Sequence, residues 1–161
     1  MFFKYFNLNK NNLNNQSFYF YQDIVNHSND FIKNYLNNRK LDFNEVFEIF
    51  SIVIIFYLKK LKDKNNAKSK IISQTIIDNF VEDLDQHFRE QGIGDMSIGK
   101  YVKKYVKKFY FRLKIFDEIF EKNKELDINE YQKKVGSFYN DNTGTINANL
   151  VDLYNRILIE K

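Results

Sequence analysis

Little in this chain breaks a helix. Proline is absent from all 161 residues and glycine occurs only five times. A proline inside a helix removes a hydrogen bond and collides with the preceding turn. Without it, helices can run long wherever the apolar spacing supports them, and that spacing is helical along most of the chain. Ile72, Ile76, Phe80, Leu84 and Phe88 recur every fourth residue, with Ile77 and Val81 beside them. Side chains at that interval share one face of an α-helix.

The same pattern divides the rest of the chain. Tyr21, Ile24, Val25, Phe31, Ile32, Tyr35 and Leu36 predict an amphipathic helix from Phe18, loosened near Asn26–Asn29. Asn37–Lys40 is a polar break. Asp42 and Glu45 have the spacing of a capping box, and Leu41 is placed to staple onto Val46. The helix they start is apolar on most sides through Ile49–Leu58, as expected of a central element. That run is too short to cross a membrane, which takes about 20 apolar residues. Lys59–Lys70 is expected to be a solvated basic connection. A further helix is predicted from about Ser97 to Glu121, with Ile98, Val102, Tyr105, Phe109, Leu113, Phe116 and Phe120 on its stripe. Asp127 and Glu130 suggest another cap, before a short helix with Tyr131, Val135 and Phe138. A turn at Asn140–Gly144 and a last helix around Leu150–Leu158 follow. The fold class is all-α, a single-domain bundle of about five to six helices. Residues 1–17 are expected to be a flexible N-terminal segment and 18–161 the helical domain.

Composition excludes several functions. There is no cysteine, hence no disulfide, thiolate metal site or thiol nucleophile. With 17 Phe and 11 Tyr the chain has ample apolar surface to bury. The bias toward Asn, Lys, Ile, Phe and Tyr is what A/T-rich codons favour, so the net charge of +4 is weak evidence for an anionic partner. The start has aromatic residues but no long apolar core or small-residue cleavage site, so no secretory leader is expected. His27 and His87 are the only histidines. His87 stands four residues after Asp83 and the two can meet on one helical face, but neither a ligand set nor a nucleophile completes a site. No catalytic residue, metal or cofactor is expected.

One segment resists the composition. Gly92, Gly94 and Gly99 fall close together in a chain otherwise poor in glycine. They suggest backbone positions that do not tolerate a Cβ. Gly92 is placed to end a helix in a left-handed cap, with Ile93 packing back, and Gly99 to let another helix approach. The pattern is a poor phosphate loop, since it lacks a preceding strand and a Lys-Ser/Thr pair. Before the turn come Asp78, Glu82, Asp83 and Asp85. After it come Lys100, Lys103, Lys104, Lys107, Lys108, Arg112 and Lys114, interleaved with Tyr101, Tyr105, Phe109 and Tyr110. These charges can pair with each other across a hairpin. They can instead form a docking face for RNA, anionic lipid or an acidic polypeptide. The aromatic residues at helical spacing read first as core. Met96 at the tip can touch a partner or fill a gap.

The order Asp-x-Asp, Arg-Glu-x-Gly-x-Gly-Asp, Gly-Lys-x-x-Lys-Lys and Phe-Tyr-x-Arg resembles the ubiquinol–cytochrome c chaperone family. It is carried by Asp83, Asp85, Arg89, Glu90, Gly92, Gly94, Asp95, Gly99, Lys100, Lys103, Lys104, Phe109, Tyr110 and Arg112. The resemblance covers about residues 18–121, more weakly upstream. It implies an all-α, non-enzymatic assembly factor of the ubiquinol–cytochrome c reductase (bc1) complex, with these residues as partner-binding candidates. Mitochondrial members bind newly made cytochrome b and associate with the ribosome, and shorter bacterial members are similar to the core domain alone. The expected partners are cytochrome b, the ribosome and, peripherally, the membrane, with no DNA. The expected place is the cytoplasm at the inner face of a bacterial membrane, or the matrix side in a mitochondrion. A ribosome- or RNA-binding module using the Lys-rich helix 97–121 is the alternative.

Overall fold

Asp42 starts the central helix as the spacing requires. Its Oδ1 accepts from the Glu45 N–H at 2.9 Å, and its own N–H donates to Glu45 Oε2 at 3.0 Å. The structure is a computed structural model that describes residues 14–36, 40–122, 126–136 and 144–159. In order, these form α1 (Asn14–Tyr35), α2 (Phe43–Lys64), α3 (Ala67–Glu90), α4 (Asp95–Lys122), α5 (Ile128–Val135) and α6 (Thr145–Ile159). No strand occurs among the described residues. The expected Phe138 and most of the turn at Asn140–Gly144 lie outside them.

Helix α2 is the hub. Every residue from Val46 to Leu58 is buried, because α1, α3, α4 and α6 all pack on it. Leu41, the proposed staple, is partly buried against the same core. None of the described helices is long and apolar enough to cross a membrane.

Two connections differ from expectation. Helix α1 shows no break near Asn26–Asn29. Ser28 is buried, and its hydroxyl donates to the Ile24 carbonyl at 2.7 Å. His27 Nδ1 reaches the Tyr57 hydroxyl on α2 at 2.8 Å. The polar residues therefore find partners without unwinding the helix. Nor is Lys59–Lys70 a loop. Helix α2 continues to Lys64 and α3 begins at Ala67, leaving only Asn65 and Asn66 between them. Asn65 takes the left-handed conformation at φ 41°. Asn66 accepts from the Ser69 N–H at 2.8 Å and caps α3. Asparagine tolerates both tasks, so the corner needs neither glycine nor proline.

Helices α3 and α4 form an antiparallel hairpin. Phe88 meets Tyr101 and Tyr105 with ring centroids 5.5 and 5.3 Å apart, and Phe80 meets Phe109 at 5.0 Å. At the far end of α4, Phe116 stacks on Tyr131 of α5 at 4.4 Å and Phe120 on Tyr154 of α6 at 5.6 Å. Asp127 caps α5, accepting from the Glu130 N–H at 2.9 Å.

A charged clamp sits inside this aromatic packing. Glu48, on the apolar helix α2, faces Arg112 of α4. Arg112 Nε lies 2.7 Å from Glu48 Oε2, and its Nη2 bonds Oε1. The Arg112 and Glu48 side chains are only 12% and 9% exposed. Tyr131 of α5 donates its hydroxyl to Glu48 Oε2 at 3.3 Å, and Arg112 Nη1 donates to the Lys108 carbonyl at 3.1 Å. Breaking such a pair leaves one buried charge uncompensated, at about 3–5 kcal/mol. Arg112→Ala should therefore lower unfolding free energy by about that amount in urea melts. Arg112→Met with Glu48→Leu should recover most of it, since both charges are then gone. A loss below about 1 kcal/mol in the single variant, the scale of an exposed pair, would show that the clamp is not structural.

Candidate functional site

Most of the motif residues lie at or near the turn from α3 into α4, and Phe109, Tyr110 and Arg112 lie further along α4. Gly92 has φ 76°. Its N–H donates to the Arg89 carbonyl at 2.9 Å, and the Ile93 N–H reaches back to Phe88 at 3.1 Å. This is a Schellman closure, and it needs the left-handed conformation glycine adopts freely. Ile93 packs partly buried against the core. The Gly94 carbonyl then accepts from Ser97 and Ile98 at 2.8 and 3.2 Å, opening α4.

Arg89 fastens the turn. Its Nε lies 2.6 Å from Asp85, one turn back on α3, and its Nη1 lies 2.5 Å from Asp95, the first residue of α4. Glu90 accepts from Gln86 at 3.0 Å. These groups are exposed, so each contact is weak on its own. Together they join the end of one helix to the start of the next.

Three motif positions serve the interior instead. Phe109 is fully buried. Arg112 belongs to the clamp on Glu48. Asp83 accepts from the Tyr21 hydroxyl of α1 at 2.6 Å. Burial pushes the Asp83 carboxyl up to about 6, against the lowering effect of the Tyr21 hydrogen bond, with the Glu82 charge adding to the rise. His87 stacks flat on Phe43, with centroids 4.1 Å apart, and burial lowers its pKa.

The remaining positions face solvent. Lys100, Lys103 and Lys104 are exposed on α4 with Lys107 and Lys114. Of the two readings of these charges, pairing of the lysines with the acids of α3 does not occur: among the described residues no ion pair joins Asp78, Glu82, Asp83 or Asp85 to them. Asp78 accepts from Gln74 in its own helix and Lys104 lies over the Tyr105 ring. The aromatic residues divide. Tyr105 is buried, its hydroxyl donating to Asn44 at 2.8 Å, while Tyr101 and Tyr110 are more than 40% exposed. Met96 is fully exposed, which excludes a core role, and Phe111 is half-exposed. Met96, Lys100, Lys103, Lys107, Tyr110 and Lys114 follow each other at intervals of three and four, in a stripe about 27 Å long at 1.5 Å per residue. Among the described residues, no group of three or more His, Asp or Glu is arranged to hold a metal.

Reading the sequence missed Glu48, Tyr131 and Tyr21, the partners of Arg112 and Asp83. Glu48 alone carried a signal, a carboxylate inside an apolar run. The glycine reading holds only for Gly92. At Gly94 and Gly99 an added Cβ would meet nothing within 4 Å, so no neighbouring helix requires either.

Two outcomes follow. Gly92→Ala should lose about 1–2 kcal/mol, because a side chain is strained at positive φ. Gly99→Ala should gain up to about 1 kcal/mol, since alanine favours an exposed helical site. Equal effects in thermal melts would contradict the assignment. Asp83 sets a pH dependence. Between 3.8, the ordinary value, and about 6, the folded chain holds a proton that the unfolded chain releases. Its contribution is therefore complete below the lower value and is lost as pH rises through about 6, by up to about 3 kcal/mol. Asp83→Asn should flatten stability across that window, and an unchanged slope would remove Asp83 as its source.

The family model for ubiquinol–cytochrome C chaperones matches residues 38–128. It spans α2, α3 and α4 completely and reaches the first residue of α5, while α1 and α6 lie outside it. No match was found among curated proteins or among solved structures. The match takes in more than half of the sequence and every motif position: the chain belongs to the ubiquinol–cytochrome C chaperone family.

Proposed function

We propose that this chain is a non-enzymatic assembly chaperone that binds newly made cytochrome b and promotes assembly of the bc1 complex. The observation that carries this reading is the family match over residues 38–128. The docking face on this reading is the outward side of the hairpin: Glu90, Gly94, Asp95, Gly99, Lys100, Lys103, Lys104 and Tyr110. Asp83, Asp85, Arg89, Gly92, Phe109 and Arg112 hold that face in place from behind.

Two features support the choice of face. Among the described residues Lys100, Lys103, Lys104, Lys107 and Lys114 of α4 have no ion-pair partner, so their charge is available to an anionic surface. Gly99 is an exposed helical glycine with open space around it. It lowers helix stability by about 1 kcal/mol relative to alanine and leaves room for a partner's backbone. The proposed place of action is the inner face of the membrane, with the chain attached peripherally.

Deleting the gene should lower cytochrome b and bc1 levels. A photo-crosslinker in place of Met96 or Tyr110 should capture cytochrome b, while one at the exposed Asp30 of α1 should not. Unchanged bc1 levels without cytochrome b capture would sink the proposal. Capture of RNA instead, weakening steeply with salt and with charge reversal at Lys103, Lys104, Lys107 and Lys108, would reassign the face to nucleic acid.

A further inference from the structure

A second surface lies away from the motif. Between Ser69–Ile77 of α3 and Leu113–Phe120 of α4 a groove of about 330 Å³ opens, floored by Ile55, Leu58 and Leu61 of α2. Its walls are apolar where Ile77, Leu113 and Phe120 line them. The floor residues are buried, at most 8% exposed. At about 330 Å³ the groove has room for a few side chains.

Two polar side chains of the α3 wall are engaged locally. Ser73 donates to the Ser69 carbonyl at 2.8 Å, and Gln74 donates to Asp78 at 2.8 Å. Such a wall offers little to a polar small molecule, so an occupant must be recognised by apolar shape. One end has a strong charge. The α2–α3 corner carries Lys59, Lys60, Lys62, Lys64, Lys68 and Lys70 against Asp63 alone. Lys62 crosses the groove to Asp117 at 3.1 Å and Lys59 holds Asp63 at 2.5 Å. Lys64, Lys68 and Lys70 have no ion-pair partner among the described residues.

Length narrows the choice. Leu113 to Phe120 is two helical turns, about 10.5 Å. That is the distance between the first and last of three side chains at i, i+4 and i+7 on another helix. We propose that the groove receives such an apolar ridge from an amphipathic helix of a partner protein, with acidic residues at the end of that helix facing the Lys59–Lys70 corner. Apolar anchors in a groove with a charged end fix both seating and direction. The site is separate from the hairpin face and does not depend on the identity of the client.

The chain has no tryptophan, so a peptide carrying one can be followed by its own fluorescence. The probe is a helical peptide with a Leu-Trp-Leu ridge at i, i+4 and i+7 followed by glutamates, beside a twin ending in lysines. The glutamate peptide should bind saturably with a blue shift and about tenfold more tightly at low salt. Ser73→Phe, which fills the groove, should abolish the shift. Lys68→Glu with Lys70→Glu, both exposed and without an ion-pair partner among the described residues, should invert the preference while leaving the circular dichroism melt intact. Equal binding of the two peptides, or binding indifferent to both sets of substitutions, would overturn the proposal. So would binding of decanoate without binding of either peptide, since the occupant would then be an acyl chain.

Discussion

A single buried ion pair fixes how the outer helices are presented. Arg112 and Glu48 face each other inside an aromatic core, with the Tyr131 hydroxyl completing the contact. Desolvating two charges is expensive, and such a pair is a poor source of net stability. What it supplies is orientation. Arg112 has to face α2, because turning it away would leave the Glu48 carboxylate buried without its counter-charge. A helix advances about 100° per residue, and nine residues make two and a half turns. Lys103 is therefore directly opposite Arg112. Met96, Lys107 and Lys114 are within about 40° of the same direction. The outward stripe of α4 is in this sense a consequence of one inward charge.

The family motif is three sets of residues with different tasks. Asp83, Phe109 and Arg112 reach inward to α1, the aromatic core and α2. Asp85, Arg89, Gly92 and Asp95 shape the turn. Gly94, Gly99, Lys100, Lys103 and Tyr110 hold nothing together with their side chains. Gly99 even weakens the helix that contains it. A chain that uses glycine so sparingly has no internal reason to place one there. The internal accounts that exist, the Schellman closure at Gly92 and the buried pairs, make the remaining residues the ones that need an external explanation.

Much of the bundle was legible in the sequence because its signals are local. Repeats at three and four residues, the capping box at Asp42 and the cap at Gly92 each lie within a few positions. The corner at Asn65–Asn66 was hidden because six lysines around it look like a solvated loop, while asparagine supplies both the left-handed residue and the cap. The Arg112 clamp was hidden for another reason. Its partners come from α2 and α5, and nothing local connects Arg112 to Glu48 or Tyr131. In the same way, an acidic α3 beside a basic α4 suggested mutual pairing. The rotation of each helix about its own axis decides that matter, and sequence spacing alone does not supply the rotation of one helix relative to another.

The clamp also relates the two surfaces on α4. The outward stripe occupies the first two-thirds of the helix, and the groove wall begins at Leu113, one residue beyond Arg112. A ligand in the groove would therefore sit beside the residue that Glu48 holds. A close-packed, hydrogen-bonded segment resists being rotated. Occupation of the groove should then leave the stripe where it was, and the two surfaces should act as fixed points on one rigid helix. A partner that engages both gains by effective concentration rather than by conformational coupling, provided its own two elements match that fixed spacing. For a helical protein with no hinge in α4, selectivity of this kind rests on geometry: the clamp sets the distance and rotation between the sites, and a partner whose helix and acidic surface do not fit them engages only one.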